Sequence, residues 1–332
     1  MPPPIRLSIR SPVKKALSIS VQHSDLKHLY MDIPGSHTDT AVLCSLLIDR
    51  FQYKTENITI LMDDDRTEYD NPTRANILNA MRNLVADAQA GDHFVFHFSG
   101  HGAQVVSSDP TVAYGSNGES HTVIFPVDVN YRTQQDFDNY IMDDEIRDIL
   151  VDHLPAGAHL TMIFDCCHSG NMAALAHISD ELAVRSPVSP ISPSELRPFD
   201  AQTGLRPRSA SIRQADPQSN GDVHSTKARR KSVSSTIANV ESWSACENTQ
   251  MAMGDENGGL FIRAFSKALR ANPAATHGEL LSLVRREMAD LVSGGIAKNG
   301  DPILPDGSIY VPSPQFGCQK PLREIRSTLV DP

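Results

Sequence analysis

Tryptophan occurs once in the 332 residues, aromatic side chains make up only 6% of them, and basic residues are outnumbered 30 to 40. The formal net charge of −10 repels phosphate backbones, so a general nucleic-acid binder, which needs a basic stripe, is disfavoured. No apolar run approaches the roughly 20 residues that span a bilayer, because charges, glycine or proline interrupt each candidate. Residues 1–15 are basic and proline-rich, but they lack the apolar centre and small-residue cleavage site of a secretory signal. The expectation is a cytoplasmic protein, with a mitochondrial transit segment as the lesser alternative. Cysteine is scarce and odd in number. Cys44, Cys166, Cys167, Cys246 and Cys318 contain no C-x-x-C spacing, so they suggest neither a disulfide framework nor a cysteine zinc site. Cys166 and Cys167 are poor partners for each other, since a vicinal bridge strains the intervening peptide.

What is present is an alternation of apolar, β-rich runs with helical patterns, the signature of an α/β domain with a largely parallel sheet. Strands are expected at Ala16–Val21, Ile58–Met62, His93–Phe98, Thr122–Val127, His159–Phe164, Val240–Ala245 and Ser308–Val311. Helices are expected at Thr38–Phe51, Thr73–Ala90, Asp144–His153, Gly258–Ala271 and Thr276–Val292. In the second of these, Ile77, Leu78, Met81, Leu84 and Val85 recur at three- and four-residue spacing, which gives one buried face. Composition shifts at about Ser179 and back at about Ala238. The segment between is rich in Ser, Pro, Arg and Lys and too poor in apolar side chains to offset its chain entropy, so it reads as a disordered insert. The division is thus a short extension at 1–15, a region at 16–178, the insert at 179–238, a shorter region at 239–316 and a tail at 317–332.

Two strand ends carry chemistry. The run His93–Phe98 stops at Ser99-Gly100-His101-Gly102, and His159–Phe164 stops at Asp165-Cys166-Cys167-His168-Ser169-Gly170. Open α/β sheets hold ligands at this carboxyl edge. A thiol beside an imidazole is what a cysteine nucleophile needs, because the thiolate attacks and an imidazolium stabilises it. The flanking glycines admit substrate and leave backbone N–H groups for an oxyanion. His93, His97 and His101 also recur every four residues; on a strand this spreads them about 13 Å end to end, which disfavours a metal site there.

Phe98-Ser-Gly-His-Gly102, Phe164-Asp-Cys-Cys-His-Ser-Gly170, the Asp143-Asp144-Glu145 run between them and Trp243-Ser-Ala-Cys246 together resemble a metacaspase, of the fungal type I kind, among the caspase-like cysteine peptidases. The resemblance implies a caspase-like three-layer α/β/α sandwich with a mostly parallel central sheet, its large-subunit part before the insert and its small-subunit part after it. It makes Cys167 the nucleophile, His101 the general base and Cys166 a bystander, with the backbone N–H groups of Gly102 and Cys167 as the oxyanion hole. Asp165, two residues before Cys167, suits a cationic substrate side chain; by resemblance Asp39, Ser36 and Ser99 complete that pocket. Cleavage after Arg or Lys of protein or peptide substrates is expected, by a monomer with no nucleic-acid or membrane partner. Lys227, Arg229, Arg230 and Lys231 in the insert are then candidate self-cleavage positions, set against a plain solvated linker.

The family also suggests calcium as a cofactor, with Asp143 and Asp144 as ligands. Two further ligand positions fall on His121 and Ala174, neither a hard oxygen donor, and Glu119, Asp128 or Asp180 are the substitutes to consider. The competing expectation for Asp143 is an N-cap on the following helix. Trp243 is expected either to line the cleft or to sit in the core. Against the peptidase stand a catalytically inactive caspase-fold scaffold, an Asp-specific peptidase and, weakest, a serine hydrolase, for which no G-x-S-x-G elbow is present.

Overall fold

The structure, a computed structural model, describes residues 10–29, 31–65, 68–106, 120–133, 136–173, 175–178, 206–207, 237–299, 310–325, 328 and 330–332. Nearly all of the expected insert, with Lys227, Arg229, Arg230 and Lys231, lies outside them, as do Glu119, Ala174 and Asp180.

In chain order, β1 (Lys14–Ser20) leads to α1 (Ser36–Phe51), β2 (Ile58–Met62), α2 (Arg74–Val85) and β3 (His93–Ser99). Then come β4 (Gly102–Val106), β5 (Ser120–Ile124), the hairpin of β6 (Asn130–Thr133) and β7 (Asp136–Asp138), β8 (Ile141–Met142) and α3 (Asp143–Leu150). The chain continues through β9 (His159–Asp165), β10 (His177–Ile178), β11 (Arg206–Pro207), β12 (Asn239–Ser244), β13 (Met253–Asp255) and β14 (Gly258–Gly259). It closes with α4 (Leu260–Ala271), α5 (His277–Asn299), β15 (Gln315–Cys318) and α6 (Leu322–Ile325).

Seven strands form the central sheet in the order β10-β15-β12-β9-β3-β1-β2. The five from β12 to β2 are parallel, and β15 and β10 extend the sheet in antiparallel pairing. Strand alternation sorts the core into two layers. Phe94, Phe96 and Phe98 of β3 and Leu160, Met162 and Phe164 of β9 point to the side covered by α2 and α3. Val95 and Ile163 point to the side covered by α1, α4 and α5. Each fully buried Phe or Leu contributes about 1.5–3 kcal/mol. The result is the expected three-layer α/β/α sandwich around a mostly parallel sheet.

Several boundaries differ from those read in the sequence. The expected last strand at 308–311 is absent where described, since Tyr310 and Val311 are irregular. The strand is β15 instead, where Phe316 packs on Trp243 with ring centroids 4.7 Å apart. Thr122–Val127 does not join the central sheet; β5 pairs with β4 and β8 in a separate three-stranded sheet. α2 ends at Val85 rather than Ala90 and begins one residue later than expected, because Thr73 is its N-cap and accepts from the Asn76 N–H at 3.2 Å. Gly258 and Gly259 are extended rather than helical. Trp243 is fully buried between Phe265, Phe316 and His277, which places it in the core and not in a cleft.

Candidate active site

β3 and β9 are neighbouring parallel strands in register, with Ser99 opposite Asp165. His101 and Cys167 each lie two residues beyond these partners, so the two chemical groups rise from adjacent strand ends, where strands are about 4.8 Å apart. Gly102 closes the approach. A Cβ there would sit 3.2 Å from Cys166 Sγ and nearer still to the Cys167 carbonyl oxygen, a space only glycine leaves open.

The imidazole of His101 is held by a 2.7 Å hydrogen bond between Nε2 and the Met31 carbonyl oxygen. Its ring lies 5.5 Å from that of His23 and 6.3 Å from that of Phe125. His23 is buried, and desolvation, followed by the nearby His101, pushes its pKa down to about 3. It therefore stays neutral beside His101. Cys167 Sγ accepts the Ala252 N–H at 3.0 Å and lies 3.7 Å from the Ala252 carbonyl oxygen. Tyr310 braces that segment: its hydroxyl accepts the Met251 N–H and donates to the Met251 carbonyl, both at 2.9 Å. Burial pushes the thiols of Cys44, Cys246 and Cys318 up, to about 11, about 12 and about 12, so all three are protonated at neutral pH. Cys166 belongs to the core layer that contains Phe96, Phe98 and Phe164, on the opposite side of the sheet from the layer that contains Cys167. His168 adopts a left-handed conformation (φ 58°) and its Nδ1 pairs with the Asn248 carbonyl at 2.6 Å, which points the ring away toward the 246–250 loop.

The acidic residues gather around Gly258 and Gly259. Asp39 accepts from Ser99 Oγ at 2.5 Å and from the Gly259 N–H at 2.6 Å. Asp165 Oδ2 accepts the Ile262 N–H at 3.0 Å, in the first turn of α4, where the helix dipole favours a carboxylate. Cβ atoms on Gly258 and Gly259 would collide with the Asp39 and Asp165 carboxylates respectively. Ser36 is buried in the first turn of α1, on the face that carries Asp39. The four residues named for the pocket are thus brought together, all fully buried. Sequence reasoning missed Gly258, Gly259, Ala252 and His23. A Gly-Gly pair just before a helix was the legible signal for close backbone approach; Ala252 and His23 carry none.

Asp143 and Asp144 meet His121 on the β5–β8 sheet. Val123 pairs with Met142, and continuing this antiparallel register sets Thr122 opposite Asp143 and His121 opposite Asp144. Asp143 Oδ1 lies 3.1 Å from His121 Nδ1, and Asp144 Oδ2 lies 3.5 Å from it. Asp143 Oδ2 accepts the Thr122 N–H at 3.0 Å. Asp143 is not the N-cap: Met142 holds that place, with its N–H donated to Glu145 Oε2 at 3.2 Å, and Asp143 turns back toward β5. Burial raises its pKa, against the lowering effect of Thr122 and His121. Asp128 stands apart, accepting the Arg74 N–H at 2.7 Å. These residues do not suit calcium, which takes six to eight oxygens: one donor here is an imidazole nitrogen, and position 174 is an alanine.

The profile described as "Metacaspase, peptidase C14 domain" matches residues 14–176. The chain is 30% identical over 321 residues to metacaspase-1 of Schizosaccharomyces pombe, covering 93% of this chain and 68% of that protein. It is 31% identical to metacaspase-1 of Ajellomyces capsulatus, covering 93% and 80%. Among solved structures, caspase-1 from Spodoptera frugiperda superposes with a TM-score of 0.50 at 12% identity, over 92% of this chain and 86% of that one.

Proposed function

Since the chain belongs to the metacaspase family of cysteine peptidases, we propose that it cleaves peptide bonds after Arg or Lys through Cys167 and His101. The observation that carries this reading is the clustering of Ser99, Asp39 and Asp165 around Gly258–Gly259, beside the paired ends of β3 and β9. Two buried carboxylates next to the reacting thiol favour a guanidinium or ammonium and repel an aspartate side chain.

In this scheme the Cys167 thiolate attacks the scissile carbonyl carbon while the N–H groups of Gly102 and Cys167 receive the negative charge on its oxygen. His101, holding the thiol proton, passes it to the leaving amine. Water, deprotonated by the same imidazole, then releases the acyl group from sulfur. Neutral His23 adds no positive charge that would oppose protonation of His101. Cys167 and His101 are both buried, so substrate entry needs the surrounding chain to open. Self-cleavage at Lys227, Arg229, Arg230 or Lys231 belongs to the same reading, since each offers the preferred side chain.

The test compares wild type, Cys167→Ala and Cys166→Ala on fluorogenic peptides ending in Arg, Lys or Asp, with intact-mass analysis of each protein after incubation. The expected result is Arg/Lys cleavage lost only in Cys167→Ala. Equal loss in both variants overturns the nucleophile, Asp cleavage overturns the pocket, and no turnover from a folded chain leaves a binding scaffold. Identical intact masses for wild type and Cys167→Ala overturn self-cleavage.

A further inference from the structure

We propose that His121, Asp143 and Asp144 form a site for a divalent transition-metal ion of the zinc or cobalt type, in place of calcium. The three donor atoms lie within 4.8 Å of one another, the sole such group of three among the described residues. Their separations carry more than proximity. An ion with ligands at about 2.1 Å sets neighbouring donors about 3.0 Å apart in an octahedron and about 3.4 Å apart in a tetrahedron. The distances from His121 Nδ1 to Asp143 Oδ1 and Asp144 Oδ2, 3.1 and 3.5 Å, match two such edges, and the shorter is spanned here by a hydrogen bond that an ion would replace.

The imidazole is the second observation. Its side chain is only 3% exposed and its Nδ1 faces both carboxylates. A surface ion pair would leave such a ring partly in water; this one is committed to the two carboxylates. Imidazole nitrogen ranks the ions, since it suits zinc, cobalt and nickel while calcium selects oxygen. Outer support is present too. The Thr122 N–H holds Asp143 Oδ2 and the Asp144 N–H holds Oδ1, each at 3.0 Å, which fixes the carboxylate beside the imidazole, and a bound ligand is usually held by such partners. With three protein donors, water completes the coordination.

The experiment uses Cys167→Ala protein, so that the reactive thiol contributes no ligand, and follows cobalt and calcium binding by equilibrium dialysis and visible absorption. The expected result is one cobalt bound without sulfur-to-metal absorption, competed by zinc and not by calcium. Binding should weaken at least about tenfold in His121→Ala and in Asp144→Asn. The Asp144 side chain is 30% exposed, so its replacement should leave the fold intact, as far-ultraviolet circular dichroism would verify. His121→Asp should exchange the preference, gaining calcium and losing cobalt. No cobalt bound at millimolar ion, wild-type affinity in either His121→Ala or Asp144→Asn, sulfur absorption or displacement by calcium would each overturn the proposal. None of these readouts involves peptide cleavage, so the outcome is independent of the proposed peptidase activity.

Discussion

Replacing Gly102 by alanine is the most direct probe of how closely the two strand ends meet. The added methyl group would lie closer than 3.0 Å to the Cys167 carbonyl oxygen, a backbone atom with no rotamer to escape through, and 3.2 Å from Cys166 Sγ. Relief needs a shift of about half an ångström or more between the two loops. That is the tolerance of a catalytic constellation, and misplacement by about 1 Å costs about 100-fold in rate. Overpacking of this kind destabilises by about 1–3 kcal/mol, and for a chain of this size each kcal/mol lowers Tm by about 2–4 °C. Gly317→Ala is the control, since its Cβ would meet nothing nearer than the His177 carbonyl at 3.5 Å, an ordinary contact. The assay pairs kcat/KM on an Arg peptide with thermal unfolding. Gly102→Ala should lose about 10- to 100-fold in kcat/KM and several degrees, with Gly317→Ala close to wild type. Wild-type turnover and Tm in Gly102→Ala would refute the apposition of these loops.

Three further outcomes are expected. Asp39→Asn can keep both bonds, with its Oδ1 accepting the Gly259 N–H and its NH2 donating to the Ser99 hydroxyl, so it should leave Tm close to wild type while the lost charge removes most cleavage after Arg; unchanged kcat/KM would remove Asp39 from the pocket. His23 is held near a pKa of about 3 while its unfolded value is 6.5, so stability present above pH 6.5 is lost as pH falls toward 3. At pH 5 that loss is about 2 kcal/mol, and thermal unfolding of His23→Gln should show a correspondingly shallower acid decline than wild type. His277 has the opposite sign: burial lowers its pKa, but its bond to Glu241 at 2.8 Å leaves it raised. Its pairing therefore stabilises fully below pH 6.5 and fades as pH rises through the raised value. Glu241→Gln should be most damaging in acid and converge with wild type in alkali; a pH-independent difference in Tm would contradict the charged pairing.

The parts of the fold legible in the sequence are those where one local signal suffices. β3 and β9 are unbroken apolar runs ended by glycine-rich turns, and both carried their chemistry to the predicted edge. Helix α2 was readable from its spacing because Ile77, Leu78, Met81 and Leu84 face one layer of the core. The last strand was misread because Ser308–Val311 has the stronger β composition, whereas Gln315–Cys318 is a strand through its ladder with β12 and the Phe316–Trp243 contact. Asp143 carries an N-cap's composition, but it is the first helical residue after Met142, and its carboxylate is shared between the Asp144 N–H and a tertiary partner, the Thr122 N–H. The hold of Ala252 on Cys167 joins residues 85 apart, and nothing in either local segment announces it.

The strand order has a consequence for continuity of the chain. β12 and β15 come after the 179–236 segment, yet they lie between β9 and β10, which come before it. The later part is inserted into the earlier one like a tongue in a groove, zipped on both flanks by backbone hydrogen bonds and packed through a shared core. A nick anywhere in 179–236 would therefore yield two polypeptides that travel together as one particle. Cys167, on the earlier piece, would keep its contact with Ala252 on the later one, and the carboxylates of Asp39 and Asp165 would keep theirs with Gly259 and Ile262. Chain continuity and structural integrity are thus separable in this fold, because the β9–β12 and β10–β15 ladders join the two pieces without the segment between them.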